Sequence, residues 1–109
     1  VILLEGDGSG MYTIQSLWTM AREKLDITII VFANRSYNIL KGELNNLGIK
    51  NYGPKAINML SLDDPYINWT DISRGMGVDS KQATNIQDFV KYLSYAIKNK
   101  GPFLIELIM

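Results

Sequence analysis

Two apolar runs, Val1-Ile-Leu-Leu4 and Thr28-Ile-Ile-Val-Phe-Ala33, each stop at a turn. The first passes through Glu5 into Gly6-Asp7-Gly8-Ser9, and the second ends on Asn34-Arg35-Ser36. Short runs of this kind read as buried strands. Between them Ile14, Leu17, Trp18 and Ala21 recur at helical spacing. That spacing predicts a helix over about Met11–Lys24 with Leu17 and Trp18 turned to a core. A strand, one crossover helix and a second strand constrain the pair to run parallel. The expected class is α/β: an open, mostly parallel sheet with helices on both faces.

The alternation continues to the end of the chain. A second helix is predicted after Ser36, with Tyr37, Leu40, Leu44 and Leu47 on one face and Asn45-Asn46 and Gly48 at its end. Gly53-Pro54 to Asp64-Pro65 reads as a long irregular connection, either a lid or interface segment or plain surface. Asn68–Met76 is a short helix ending at Gly77, and Val78–Thr84 a strand. Asn85, with Asp88 three residues on, reads as an N-cap. Ile86, Phe89, Val90, Leu93 and Ile97 then form one helix face, stopped by Gly101-Pro102. Phe103–Ile108 is a closing buried strand. At 109 residues this is one domain. With Val1 and Met109 both set at strands, the chain is expected to be a piece of a larger polypeptide.

Composition removes several classes of function. Lys+Arg and Asp+Glu balance at 11 each, so no charge excess points to nucleic acid or an anionic membrane. With no histidine and no cysteine, the chain holds no Ser–His–Asp triad, no histidine- or thiolate-bound zinc and no disulfide. The lack of cysteine fits a reducing compartment, and the expected location is cytoplasmic. No apolar run is long enough to cross a bilayer, and no signal-peptide pattern is present.

What remains is the chemistry of the two strand tips. In an open parallel sheet such tips border the crevice where ligands bind. A carboxylate (Asp7), a side-chain amide (Asn34) and a nearby main-chain carbonyl are hard oxygen donors suited to magnesium. Gly6 and Gly8 let a phosphate approach the main chain, and the start of the following helix offers free N–H groups. Asp7 alone repels a diphosphate, but a bound divalent cation reverses that sign. The plainer readings are a turn aspartate, a turn asparagine, and Ser9 as an N-cap. Glu5 and Glu43 are acid–base candidates by residue type only and are better read as solvated surface. Trp69 and Asp71 are read as structural. A dinucleotide loop, Gly6-x-Gly8-x-Gly10, is a rival. Its third glycine should stand at position 11, where Met11 is, and Asn34 occupies the place of its ribose-binding acid. A non-enzymatic α/β module is the other alternative.

At these residues the chain resembles the thiamine diphosphate-dependent enzymes, whose cofactor motif opens on Gly-Asp-Gly and closes on paired asparagines. Here Gly6-Asp7-Gly8 opens it and Ala33-Asn34 closes it, with alanine in place of the first asparagine. The segments Asn34–Glu43, Gly75–Val78 and Gly101–Glu106 are similar to acetolactate synthase-like and benzoylformate decarboxylase-like members. The resemblance implies Mg2+ held by Asp7, Asn34 and the Ser36 carbonyl, and a diphosphate beside Gly6, Gly8 and Ser9. It implies that Tyr37, Ile39 and Leu40 border the thiazolium and the substrate pocket, against the plainer reading of these three as core packing. It further implies a 2-oxo acid substrate, carboligation by a synthase-like parent or simple decarboxylation, and a homodimer or homotetramer. A flavin in the parent is compatible with the synthase reading but not readable here. The glutamate that generates the cofactor's ylid belongs to a separate domain, so no catalytic residue is expected in this chain. Alone it should be catalytically silent.

Overall fold

The computed structural model describes residues 1–109. Its elements are β1 (Ile2–Gly6), α1 (Asp7–Gly10), α2 (Ser16–Arg22), β2 (Thr28–Ala33), α3 (Asn38–Asn46), α4 (Pro54–Met59), α5 (Trp69–Gly75), β3 (Asp79–Ala83), α6 (Ile86–Lys98) and β4 (Phe103–Ile108). They fall into two compact units, Val1–Asn34 with Asn68–Met109, and Arg35–Ile67.

The first unit is built on one four-stranded sheet in the order β1-β2-β4-β3, with every pairing parallel. The two apolar runs richest in β-branched and aliphatic residues, β2 and β4, take the central positions, and their bounds coincide with the predicted strands. Helices cover both faces, as expected. On one face α6 packs Phe89, Tyr92, Leu93 and Ala96 over Ala83, Phe103 and Ile105. The other face carries Leu3, Ile29, Val31 and Leu104 together with Leu17 of α2 and Trp69 of α5. Val31, Val78, Leu104 and Ile105 are fully buried. Each such side chain contributes about 1.5–3 kcal/mol by leaving water.

Side-chain caps fix two helix starts. Asn68 accepts from the Asp71 N–H and Asn85 from the Asp88 N–H, both caps of the kind that stabilise a helix by about 1 kcal/mol. Two buried hydroxyls close the α5–β3 corner: Ser73 donates to the Val78 carbonyl and Ser80 to the Thr70 carbonyl, each at 2.9 Å. Gly77 follows α5 with φ +85°, a conformation that a Cβ resists.

Several expectations are corrected. The helix predicted over Met11–Lys24 is shortened to α2, Ser16–Arg22, because the chain winds a separate turn before that span (α1) and then passes through i→i−3 turns at Tyr12, Thr13 and Ser16. Lys24, at φ +51°, ends that stretch. Leu17 is buried, but Trp18 stands half-exposed with the Arg22 guanidinium 5.0 Å from its ring. β1 is not buried: it is an edge strand, and Ile2, Leu3 and Leu4 are exposed. On α6 the inward face is Phe89, Leu93 and Ala96, while Ile86, Val90 and Ile97 are exposed.

The second unit holds α3 and α4. The irregular segment thus contains a helix, α4, opened by Pro54 in its first turn. α3 has no buried residue, so the face of Leu40, Leu44 and Leu47 is not a core within this unit. Residues 35–37 are held by residues 60–62 in a short antiparallel bridge, with Tyr37 N–H donating to Leu60 O at 2.9 Å and Leu62 N–H to Arg35 O at 2.8 Å. The Arg35 guanidinium lies 4.9 Å from the Tyr66 ring. No helix is long and apolar enough to cross a membrane.

Candidate functional site

At the C-terminal end of the sheet, β1 and β2 deliver their tips side by side. Gly6 is in register with Phe32, so Asp7 leaves β1 level with Ala33, and Asn34 is the next residue on β2. Neighbouring strands lie about 4.8 Å apart, so these two positions are neighbours at the same end of the sheet. Asp7 is buried at 4% exposure, as are Gly8 and Gly10. Its Oδ1 accepts from the Gly8 N–H at 2.9 Å. Asn34 is exposed at the rim. A carboxylate and an amide oxygen are hard donors, so Asp7 and Asn34 are the residues here that could hold a magnesium ion.

The turn between strand and helix is a single helical turn, Asp7–Gly10, with Gly6 as its extended N-cap. Ser9 is not the cap that its residue type suggested. It sits inside α1, and its hydroxyl donates to the Glu5 carboxylate, with a longer approach of 3.3 Å to the Gly6 carbonyl. Gly10 has a steric role: a Cβ there would stand 2.7 Å from Cη2 of Trp69. Trp69 is buried, and its indole is rigid, so the turn lies directly on α5. Gly10→Ala is expected to destabilise the domain by about 1–3 kcal/mol through this overpacking. Amide hydrogen exchange at β1 and α5 checks it locally, and unchanged protection would show that the indole yields.

Ser36, Tyr37, Ile39 and Leu40 belong to the second unit. There the 35–37 bridge uses the Arg35 carbonyl and the Tyr37 N–H, which turns the Ser36 carbonyl to the other side of that short ladder. The Ser36 hydroxyl donates to Leu60 O at 3.0 Å, so its side chain is committed locally. Tyr37 precedes α3 at its N-cap, and Ile39 and Leu40 in its first turn are exposed. Gly6, Asp7, Gly8, Ser9 and Asn34 are brought to one sheet end in the first unit. The other four share the start of α3 in the second.

Sequence reading missed Glu5. Instead of a solvated surface group it is half-buried, accepting from Ser9 Oγ and from the Gly6 N–H at 3.1 Å. The signal was present: a carboxylate four residues before a serine across a glycine turn can reach it. Glu43 is exposed, and Asp71 serves its helix start, as read. On the same sheet face as Glu5, Glu106 is buried at 1% and accepts from Gln82 Nε2 at 3.3 Å.

The sequence family described as thiamine pyrophosphate enzyme, C-terminal TPP binding domain, matches residues 1–107. A Mycobacterium tuberculosis protein provisionally named acetolactate synthase large subunit IlvX is 40% identical over the whole chain. Benzoylformate decarboxylase of Pseudomonas aeruginosa is 31% identical over 98% of it. Among solved structures, the thiamine diphosphate-dependent 4-hydroxybenzoylformate decarboxylase of Rhodococcus jostii superposes with a TM-score of 0.85 at 31% identity, covering 97% of the chain. The chain spans 21% and 19% of the lengths of the two relatives and 19% of that solved chain.

Proposed function

The chain belongs to the thiamine pyrophosphate enzyme family, as its C-terminal cofactor-binding domain, and from that membership we propose that it holds the diphosphate of the cofactor through magnesium in a larger enzyme acting on 2-oxo acids. An acetolactate synthase-like carboligase is the first reading. It is favoured by 40% identity to the M. tuberculosis relative against 31% to the decarboxylase. A benzoylformate decarboxylase-type lyase is the second. The observation that carries the proposal is the buried Asp7 carboxylate at the tip of β1, level with Ala33 and next to Asn34 on β2.

In this reading Asp7 and Asn34 bind the ion through side-chain oxygens and Ser36 through its main-chain carbonyl. Gly6, Gly8 and Ser9 lie against the diphosphate, where the absence of a Cβ on the glycines permits close approach. Ala33 leaves the metal ligand at Asn34 in place. Tyr37, Ile39 and Leu40 border the reactive end, and the apolar character of Ile39 and Leu40 suits an aliphatic or aromatic side chain on the 2-oxo acid. The bound cofactor supplies the carbanion chemistry of decarboxylation and carboligation, and the protein supplies binding and orientation. The active enzyme is proposed to be a dimer or tetramer.

Calorimetric titration of thiamine diphosphate into the full-length protein tests the proposal. Binding is expected with Mg2+ and is expected to vanish with a chelator. Equal binding in both conditions would remove the metal from the site, and no binding in either would remove the cofactor.

A further inference from the structure

Glu5 connects the strand to the turn. It is the penultimate residue of β1, in register with Val31 and, through Val31, with Glu106 and Gln82, so the four share one sheet face. A Cβ on Gly10 would stand 3.3 Å from the Glu5 Cγ, which places the side chain under the turn. One carboxylate oxygen, Oε1, receives both the Ser9 hydroxyl and the Gly6 N–H. A serine hydroxyl has one proton to give, and once Glu5 takes it only lone pairs are left for a ligand. A phosphate oxygen is itself an acceptor. It therefore finds no donor in this hydroxyl and must use the main-chain N–H groups of the turn. The carboxylate also adds negative charge beneath the approach of an anion, beside that of Asp7.

We propose that Glu5 is a positioning residue for the cofactor turn. It holds the Ser9 hydroxyl inward, so that main-chain N–H groups and a cation on Asp7 receive the diphosphate. The identity of the ligand rests on the function proposed above; the anchoring of the turn does not.

The test uses the full-length protein carrying Glu5→Ala, Glu5→Gln, Ser9→Ala or the Glu5→Ala/Ser9→Ala pair. Two readouts are needed: amide hydrogen exchange over residues 6–10 without cofactor, and the calorimetric Kd for thiamine diphosphate with Mg2+. Glu5→Ala and Ser9→Ala are each expected to speed exchange and weaken binding about tenfold, the size of one charge-assisted hydrogen bond. The pair should be no weaker than Glu5→Ala alone, because both changes remove the same bond. Glu5→Gln keeps an acceptor oxygen and should restore slow exchange, while half-saturation shifts to higher Mg2+ because a charge is gone. A merely structural role would not move that magnesium dependence. Unchanged exchange in both Glu5→Ala and Ser9→Ala, or additive losses in the pair, would overturn the proposal. If the unmutated protein binds no cofactor, the functional reading fails instead. The exchange data then decide the anchoring role alone: faster exchange in the single variants supports it and unchanged exchange overturns it.

Discussion

Asp7→Ala is expected to weaken thiamine diphosphate binding in the presence of Mg2+ by at least about 100-fold, or about 2.7 kcal/mol. The carboxylate is the anionic member of the proposed ligand set. Asn34 contributes a neutral amide, and the Ser36 carbonyl is neutral as well. Magnesium gives up water reluctantly, and two neutral oxygens are a poor replacement for its hydration shell. Without the ion the diphosphate meets the turn with its full charge, and a single helical turn of four residues offers few N–H groups to neutralise it. Asp7→Asn is the informative control. It preserves the oxygen that accepts from the Gly8 N–H and so keeps the turn, but removes the charge. A loss as large as that of Asp7→Ala assigns the effect to the metal. Near-native affinity in Asp7→Asn would assign it to the turn. Native affinity in both would remove Asp7 from the site.

Much of this arrangement was legible in the chain itself, for reasons that differ from place to place. β2 and β4 were bounded to the residue because an unbroken apolar strand bounded by turn residues has few other interpretations. Asn85 announces a helix start because its side chain satisfies a specific orphan N–H, and Asn68, read as the first residue of its helix, turns out to cap it in the same way. The Asp7–Asn34 pair followed once both strands were placed, since parallel strands expose the same ends. The failures concern burial rather than element type. β1 reads as a buried strand, but an apolar run does not reveal that it lies at a sheet edge. α6 carries one apolar stripe through Phe89, Leu93 and Ala96 and another through Ile86, Val90 and Ile97. Periodicity cannot choose between them. Ala96 decides it, since a small residue lets the helix approach Phe103 and Ile105 closely. Glu5 was misread because its role depends on the Ser9 hydroxyl above it, a contact created by the turn and invisible to composition.

Ile105→Ala carries the second large effect and ties the core to the site. Ile105 is fully buried on the central strand β4, between Ile30 of β2 and Lys81 of β3, under the face of α6 that bears Ala96. Removing its side chain beyond Cβ leaves a cavity that a close-packed helix and two paired strands cannot collapse to fill, and the expected cost is about 2–5 kcal/mol. The parent protein has further domains in the reading given above, so a single melting midpoint is an ambiguous measure of this loss. Hydrogen exchange at the β2 and β4 amides reports it locally. The cofactor provides a counter-test. A ligand at 100 times its Kd stabilises the folded state by about 2.7 kcal/mol, so thiamine diphosphate with Mg2+ should restore most of the lost protection in Ile105→Ala. The same concentration should restore little in Asp7→Ala/Ile105→Ala, because a loss of affinity of about 100-fold leaves the cofactor near its Kd, where binding adds only about 0.4 kcal/mol. Rescue of that double variant would show that the cofactor is held without Asp7. Failure to rescue Ile105→Ala alone, at saturating cofactor, would show that binding at the strand tips is not coupled to the stability of the sheet that carries them.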